Sequence, residues 1–313
     1  MIIIKMMGNL GNQMFIYAMG RSLALKYNDR LYIDLSGLKR YYYTANYKLD
    51  HFEISPDISY DIYRLPLLTR LKYSFTTTLF ALEHLFYRKT RMDLVIPKNI
   101  IMKWFRRGCY YCTNRPYFNF PDNNPKKDKF VYGYFQGEQY FKEFKDQIRS
   151  ELRVTVPISA RDKRLIDEMH SCNSVGISIR ACKAPENPKV NDNVILGYIS
   201  KDYYYEGMRR ISEKIKNPVF YVFADDIEKV KEEFVFQYPV IYVEPEDSVT
   251  GMRLLYNCKH FVIANSTFSW WGAYLSDYAD KVIIMPIPWD RKGAPRDCIY
   301  IKDAIKIPCI FED

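Results

Sequence analysis

Arg180 stands at the end of an apolar run, Asn173–Lys183, that reads Asn-Ser-Val-Gly-Ile-Ser-Ile-Arg-Ala-Cys-Lys. An arginine delivered by a buried strand either closes a structural salt bridge or uses its planar donor fork to grip a phosphate. A second set of donors is available at Asn265–Gly272, Asn-Ser-Thr-Phe-Ser-Trp-Trp-Gly. Ser266 or Thr267 can cap the helix that starts there, or the first N–H groups of that helix can receive phosphate oxygens. The two tryptophans read equally as core residues. Asp225 and Asp226 allow three roles: bridging a divalent metal to phosphates, accepting hydrogen bonds from ribose hydroxyls or base nitrogens, or capping the helix that begins near Ile227. An arginine and a helix start already serve a phosphate without metal, so accepting or capping is the preferred reading for the pair.

These residues need elements that bring them together. From Ala160 onward the hydrophobic pattern predicts helices near 160–170, 201–215, 227–236, 248–258 and 267–275. Strands are predicted at 175–179, 219–223, 240–243, 261–264 and 282–285. Such alternation describes a doubly wound parallel sheet with right-handed crossovers. Each strand then ends on groups able to bind: Arg180, Asp225 and Asp226, Glu244, and Asn265 to Thr267. Ligands of open α/β sheets lie beyond the carboxyl ends of the strands where the strand order reverses, so Arg180, the aspartate pair and Ser266 or Thr267 should face one cleft.

The chain opens with a similar unit. Ile2–Ile4 begin a strand, Gly8-Asn9-Leu10-Gly11-Asn12 form a turn, and Met14, Phe15, Ala18, Leu23, Ala24 and Leu25 mark a helical face before a strand at Leu31–Asp34. In this βαβ unit the glycines should sit where backbone approaches a ligand or a neighbour. A plain capping turn would need one glycine and would not explain the Asn12-Gln13 pair. Between Tyr41 and Tyr134 periodicity yields only a helix or two, within Tyr60–Tyr87. There Leu65–Arg91 and Lys103–Arg107 mix Leu, Phe, Tyr and Trp with Lys and Arg. If exposed, that face suits an anionic membrane; if buried, it is an apolar helix with a basic outer side. Gly133–Phe141 leads into a helix ending near Leu152, and Val154–Ser159 is the expected linker between domains 1–157 and 158–313.

The composition sets outer limits. With 313 residues, 48% hydrophobic and 27% charged, the chain is globular and long enough for two cores. Its 28 tyrosines suit stacking on sugars, although ordinary core tyrosines would explain most of them. The net charge of +9 belongs to the first half, where residues 1–157 hold 25 Lys and Arg against 14 Asp and Glu; residues 158–313 hold 21 against 23. That asymmetry fits an acidic partner such as a membrane surface, or merely a solvated face. No motif points to nucleic acid. Seven cysteines without regular spacing read as reduced thiols of a cytosolic protein, and Cys109–Cys112 lacks the second pair a zinc site needs. The first residues read as a strand and not a leader, and no apolar run is long enough to span a bilayer.

Four stretches together resemble glycosyltransferase family 11, the α-1,2-fucosyltransferases. They are Gly8–Ala18, Gly133–Gln136, Phe223–Asp226 and Ile263–Ala273, in the family's order along almost the whole chain. The resemblance implies an α/β GT-B-like fold, two Rossmann-like domains with the donor cleft between them. It implies inverting, metal-independent transfer from GDP-fucose to a galactose-type oligosaccharide or lipid-linked glycan, in surface polysaccharide synthesis and without a cofactor. The donor residues it implies are Gly8, Asn9, Gly11, Asn12, Gln13, Ser178, Asp225, Asp226, Asn265, Ser266, Thr267 and Phe268, with Arg180 on the leaving phosphate. A cytoplasmic enzyme, peripheral on the inner membrane face, is the matching location.

The chain departs from the family where His-x-Arg-Arg-Gly-Asp becomes Ser178-Ile179-Arg180-Ala181-Cys182-Lys183. The first arginine is kept, while an arginine and an aspartate are exchanged for Ala181 and Lys183. Asn9 also replaces a usual glycine. The general base therefore has no family assignment, and Glu138, Glu186 and Asp192 are the candidates. The altered motif is also compatible with transfer of a related GDP-deoxysugar, or with a silent glycan- or nucleotide-binding relative.

Overall fold

Two separate parallel sheets form the framework of the protein, a computed structural model that describes residues 1–40, 46–89, 97–112, 117–181, 197–291 and 297–312. One contact unit comprises Met1–Leu152 with Pro295–Ile299, the other Arg153–Ala294 with Tyr300–Asp313.

In the first unit β1 (Ile2–Lys5), β2 (Leu31–Asp34), β3 (Cys109–Cys112) and β4 (Lys129–Gly133) lie in the order β2-β1-β4-β3, all parallel. A central parallel strand is covered on both faces, and Ile2, Ile3 and Ile4 are wholly buried. The crossover helix α1 (Leu10–Tyr27) lies so close that a Cβ on Gly20 would fall 2.4 Å from a methyl of Ile4. Asn28, in the left-handed conformation at φ 46°, ends that helix. Helices α2 (Leu67–Lys89) and α3 (Lys98–Phe105) lead to β3, and Tyr73, Ile101 and Trp104 join Ile3, Tyr111 and Phe130 in one core cluster.

Strands β3 and β4 do not show in the hydrophobic pattern. Short strands buried on both faces carry no alternation, and Cys-Tyr-Tyr-Cys looks like a ligand spacing instead. In the sheet, residues three apart point to opposite faces. Cys109 and Cys112 are buried thiols, and burial pushes each up to about 12. The pair belongs to the core. So do many tyrosines, with Tyr17, Tyr110, Tyr111, Tyr203, Tyr204 and Tyr221 almost fully enclosed.

The second unit contains the expected doubly wound sheet. Its strands are β5 (Asn173–Ile179), β7 (Pro218–Ala224), β8 (Val240–Val243), β9 (His260–Ile263), β10 (Ile283–Ile287) and β11 (Ile305–Pro308), parallel in the order β11-β10-β9-β5-β7-β8. Helices α5 (Ala160–Ser171), α6 (Lys201–Lys214), α7 (Ile227–Glu233), α8 (Ser248–Tyr256) and α9 (Thr267–Leu275) alternate with them. Five strands are where periodicity predicts them, within three residues at each end; β11 is an addition. Its Ile-Lys-Ile-Pro is a short edge strand, where a proline is tolerated but obscures the pattern. The two-residue strands β6 (Tyr198–Ile199) and β12 (Phe311–Glu312) pair antiparallel beside it. The stretch read as a linker is tied down in this unit, since Arg253 donates to the carbonyls of Val154, Val156 and Pro157. Among the described residues no helix is long and apolar enough to cross a membrane.

Helix α4 (Lys145–Glu151) fastens onto α1 through one buried carboxylate. Glu151 accepts from Arg21 at 2.8 Å, from Tyr17 at 2.5 Å and from Gln147 at 2.8 Å. Burial first, and then the Glu151 charge, push the Tyr17 hydroxyl well above the usual phenol range. Replacing Glu151 by Ala takes the carboxylate away from a half-buried guanidinium and a buried phenol. The first unit should lose roughly 3 kcal/mol, the scale for breaking a buried pair, read as an earlier urea transition by far-UV circular dichroism.

Candidate functional site

The order of the second sheet reverses between β5 and β9, since the chain runs from β5 out to β7 and β8 before returning to β9 on the other side. Register then aligns the strand ends. Ile179 pairs with Ala224 and Ser178 with Ile263, so Arg180 stands beside Asp225 on one flank and Asn265 on the other. Sequence reasoning placed these groups at one edge from strand ends alone; the register puts them in one row at the reversal.

Arg180 is half-buried, and its position is set by main-chain contacts around it. Its backbone bonds to the hydroxyl of Tyr204, a phenol pushed up by complete burial. The N–H of the next residue, Ala181, donates to Asp225 Oδ1 at 2.7 Å, and its carbonyl accepts from Lys229 Nζ at 2.8 Å. Asp225 and Lys229 thus hold the peptide after Arg180 from both sides. Asp226 takes the capping role: its side chain accepts from Lys229 N at the start of α7.

The starts of α6 and α9 both lack a side-chain cap, and of the two only α6 has an acid, Asp202, in its first turn. Ser159, Asp226 and Asp247 cap α5, α7 and α8 with side-chain oxygens. Ser266, the N-cap of α9, is extended and makes no side-chain cap, and the first turn holds no acid. The helix therefore presents its first-turn N–H groups and the positive end of its dipole beside Arg180. Ser266, Thr267 and Phe268 are half-buried there, whereas Asn265 is 1% exposed and donates toward Gly197 O. Trp270 and Trp271 are wholly buried, with Trp270 stacked on Tyr274, so the Trp-Trp-Gly signature is packing. Ser178 is also committed to the fold, its hydroxyl 2.6 Å from Ser269 Oγ, which ties β5 to α9. An arginine fork with several N–H donors is a receptor for a phosphate or diphosphate. Among the described residues no three His, Cys, Asp or Glu side chains group as a metal ion would need.

The first unit has its own reversal, between β1 and β4. Gly8, at φ +73°, leads into α1, whose N-cap Asn9 is exposed and makes no side-chain cap. Asn12 accepts from Gln136 Nε2 at 2.9 Å, joining the Gly8–Ala18 and Gly133–Gln136 stretches. Gly11 is buried. Gln13 is wholly buried and works inward: it donates to Gly8 O and Asn46 O and accepts from Lys48 N. Its side chain shapes the turn instead of reaching a ligand. The loop after β4 is strained, with buried Phe135 at φ 48° between Gly133 and Gly137, both at positive φ. Glu138 follows, half-buried. Cys182, Lys183, Glu186 and Asp192 lie outside the described residues.

Lys229, Tyr204 and Ser269 hold this site and were not singled out in the sequence. Lys229 and Ser269 each stand three residues after an N-cap, a spacing that carries no signal of its own. The clamp on Ala181 has a measurable consequence. Asp225→Ala should weaken binding of a nucleoside diphosphate about tenfold, the scale of one charge-assisted hydrogen bond. Asp225→Asn, which keeps the acceptor oxygen, should recover most of it in the same calorimetric titration.

Comparison with known proteins supplies the family. The profile of Glycosyl transferase family 11 matches residues 1–297. The chain is 30% identical to an α-1,2-colitosyltransferase of Escherichia coli, over 92% of each chain. It is 26% identical to the O-antigen biosynthesis glycosyltransferase WbnK of the same species, over 90% of this chain and 92% of that one. Among solved structures, NodZ α-1,6-fucosyltransferase of Bradyrhizobium, co-crystallised with GDP, aligns with a TM-score of 0.50 at 14% identity, covering 87% of this chain and 91% of that one. That likeness shows a shared GT-B-like α/β fold. A family match over nearly the full length makes this protein a member of glycosyltransferase family 11.

Proposed function

We propose that the protein transfers L-fucose from GDP-fucose to a galactose-type glycan in α-1,2 linkage, with inversion and without a metal ion. The observation that carries this reading is Arg180 set beside the uncapped start of α9 in a family 11 chain. As the bond from the anomeric carbon to the phosphate oxygen breaks, its electron pair goes to the diphosphate and the sugar becomes oxocarbenium-like. The guanidinium and the first-turn N–H groups meet that growing charge from fixed positions, which is why a metal is not required. Asp225 serves by fixing the peptide after Arg180, and half-buried Thr267 in the same region suits a hydroxyl contact to the nucleoside. The Gly8–Gln13 turn is the first unit's own place for polar ligand groups.

A second reading has a specific support, the 30% identity to an α-1,2-colitosyltransferase. Colitose is L-fucose without its 3-hydroxyl, so a GDP-deoxysugar of that kind would present the same diphosphate to Arg180. Surface polysaccharide is the matching product class, as one relative is an O-antigen glycosyltransferase, and an oligosaccharide or lipid-linked glycan the matching acceptor.

Incubating the purified protein with GDP-fucose or GDP-colitose and a galactoside should release GDP with one donor far faster than with the other. Arg180→Ala should slow the preferred reaction on the order of 100-fold, the loss for one preorganised donor at a developing anion. Arg180→Lys should not restore it, because a point charge lacks the fork. Donor binding without turnover across a panel of galactosides would identify a silent relative instead.

The acceptor hydroxyl must lose a proton as it attacks. Of the three candidate carboxylates Glu138 is the described one, and it follows the strained turn after β4. As base, its replacement in Glu138→Gln should lower kcat about 100-fold or more with donor affinity unchanged. Undiminished turnover would pass the role to Glu186 or Asp192.

A further inference from the structure

Helix α2 is built inside out. The side turned to the protein holds hydroxyls: Thr69 donates to Asp128 at 2.8 Å, Tyr73 donates to Asp34 at 2.7 Å, and Thr76 hydrogen-bonds the Cys109 thiol. All three are buried. The outward side holds Leu67, Leu68, Leu71, Phe75 and Leu82, each between 57% and 71% exposed. At 3.6 residues per turn these five fall within an arc of roughly 100°, the width of a face that normally packs on something apolar. The sequence leaves open whether the apolar face of this segment is exposed or buried; Leu67, Leu68, Leu71, Leu82 and Phe75 are exposed, and the buried face is the one that carries hydroxyls.

Charge identifies the cover. Helix α2 carries Arg70, Lys72, Arg88 and Lys89 against one acid, Glu83, while Arg64 before it pairs with Asp61 at 3.2 Å. Arg70 and Lys72 immediately bracket Leu71, which on a helix sets one cation on each flank of the apolar arc. Tyr63, 76% exposed, stands at the entrance to the helix under the Arg70 guanidinium, 5.8 Å from its ring. An apolar strip with cations on both flanks and an amphipathic ring at its end fits the boundary between acyl chains and anionic headgroups. A second copy of the helix fits worse, since it would bring the same cations face to face. With 23 residues the helix is about 34 Å long at 1.5 Å per residue, but it is not apolar enough to cross a bilayer, so it would lie along the surface.

We propose that α2 is a docking surface for an anionic lipid membrane, with Leu67, Leu68, Leu71, Phe75 and Leu82 entering the acyl boundary and Arg70 and Lys72 meeting the headgroups. This does not rest on the donor assignment. The test is co-sedimentation of the full chain with vesicles. Wild type should pellet with vesicles rich in phosphatidylglycerol and stay in solution with pure phosphatidylcholine. Leu71→Ser with Phe75→Ser should weaken pelleting about tenfold or more, as two apolar side chains are withdrawn from lipid. Arg70→Gln with Lys72→Gln should weaken it less and reduce its salt dependence. Leu71, Phe75 and Lys72 are exposed and half-buried Arg70 meets the exposed Tyr63, so unfolding temperature and turnover on a soluble acceptor should stay close to wild type. Wild type left in the supernatant at low salt overturns the proposal, as does pelleting that neither pair reduces. Light scattering that shows a dimer, dissolved by the serine pair, with no pelleting of wild type would give the face to a second copy instead.

Discussion

A parallel sheet with helices on both sides has no polar face, and this constraint organises both units. The interior positions of β1 and β5 accept almost nothing but aliphatic, small or aromatic residues, because every side chain there is enclosed. Binding chemistry is pushed to the carboxyl ends of the strands. It gathers where the strand order reverses and two loops part to either side. In the second unit that point holds Arg180 and the start of α9; in the first it holds the turn from Gly8 to Gln13 and the loop after β4.

Within this frame the polar residues divide into those that face outward and those that keep the frame rigid. Asp225, Asp226, Lys229 and Ser178 all bond to protein groups, and three of them act on the peptide or strand that presents Arg180. Gln13 does similar work in the first unit. At the start of α9, where Ser266 makes no side-chain cap, main-chain N–H groups of the first turn are the matching donors. A site of this design recognises anionic ligands with few dedicated side chains.

That division explains what was legible in the sequence. The second sheet could be read because its strands are separated by helices with clear periodicity, and five of its strands fall where the pattern puts them. Arg180 and the aspartate pair could be placed on one edge because strand ends are visible as the last apolar residue. The roles of Asp225 and Asp226 could not be separated, since capping and clamping depend on which amide each carboxylate meets across the sheet. Strands β3 and β4 were hidden by their brevity and by a cysteine spacing that resembles a metal motif. The inverted polarity of α2 was out of reach for a different reason: periodicity shows that a helix has two faces, but not which one the fold turns inward.

The clamp on Ala181 grips only its N–H and its carbonyl. Every amino acid except proline offers the same two groups, so this anchor is blind to the side chain it holds. The Ala181 methyl is itself buried in the core of this unit, so a small side chain suffices there while the neighbouring Arg180 keeps its place. An architecture of this kind separates the placing of Arg180, proposed as the grip on the phosphate, from the identity of the side chain that follows it. The fold need not be rebuilt when one small side chain after Arg180 is exchanged for another.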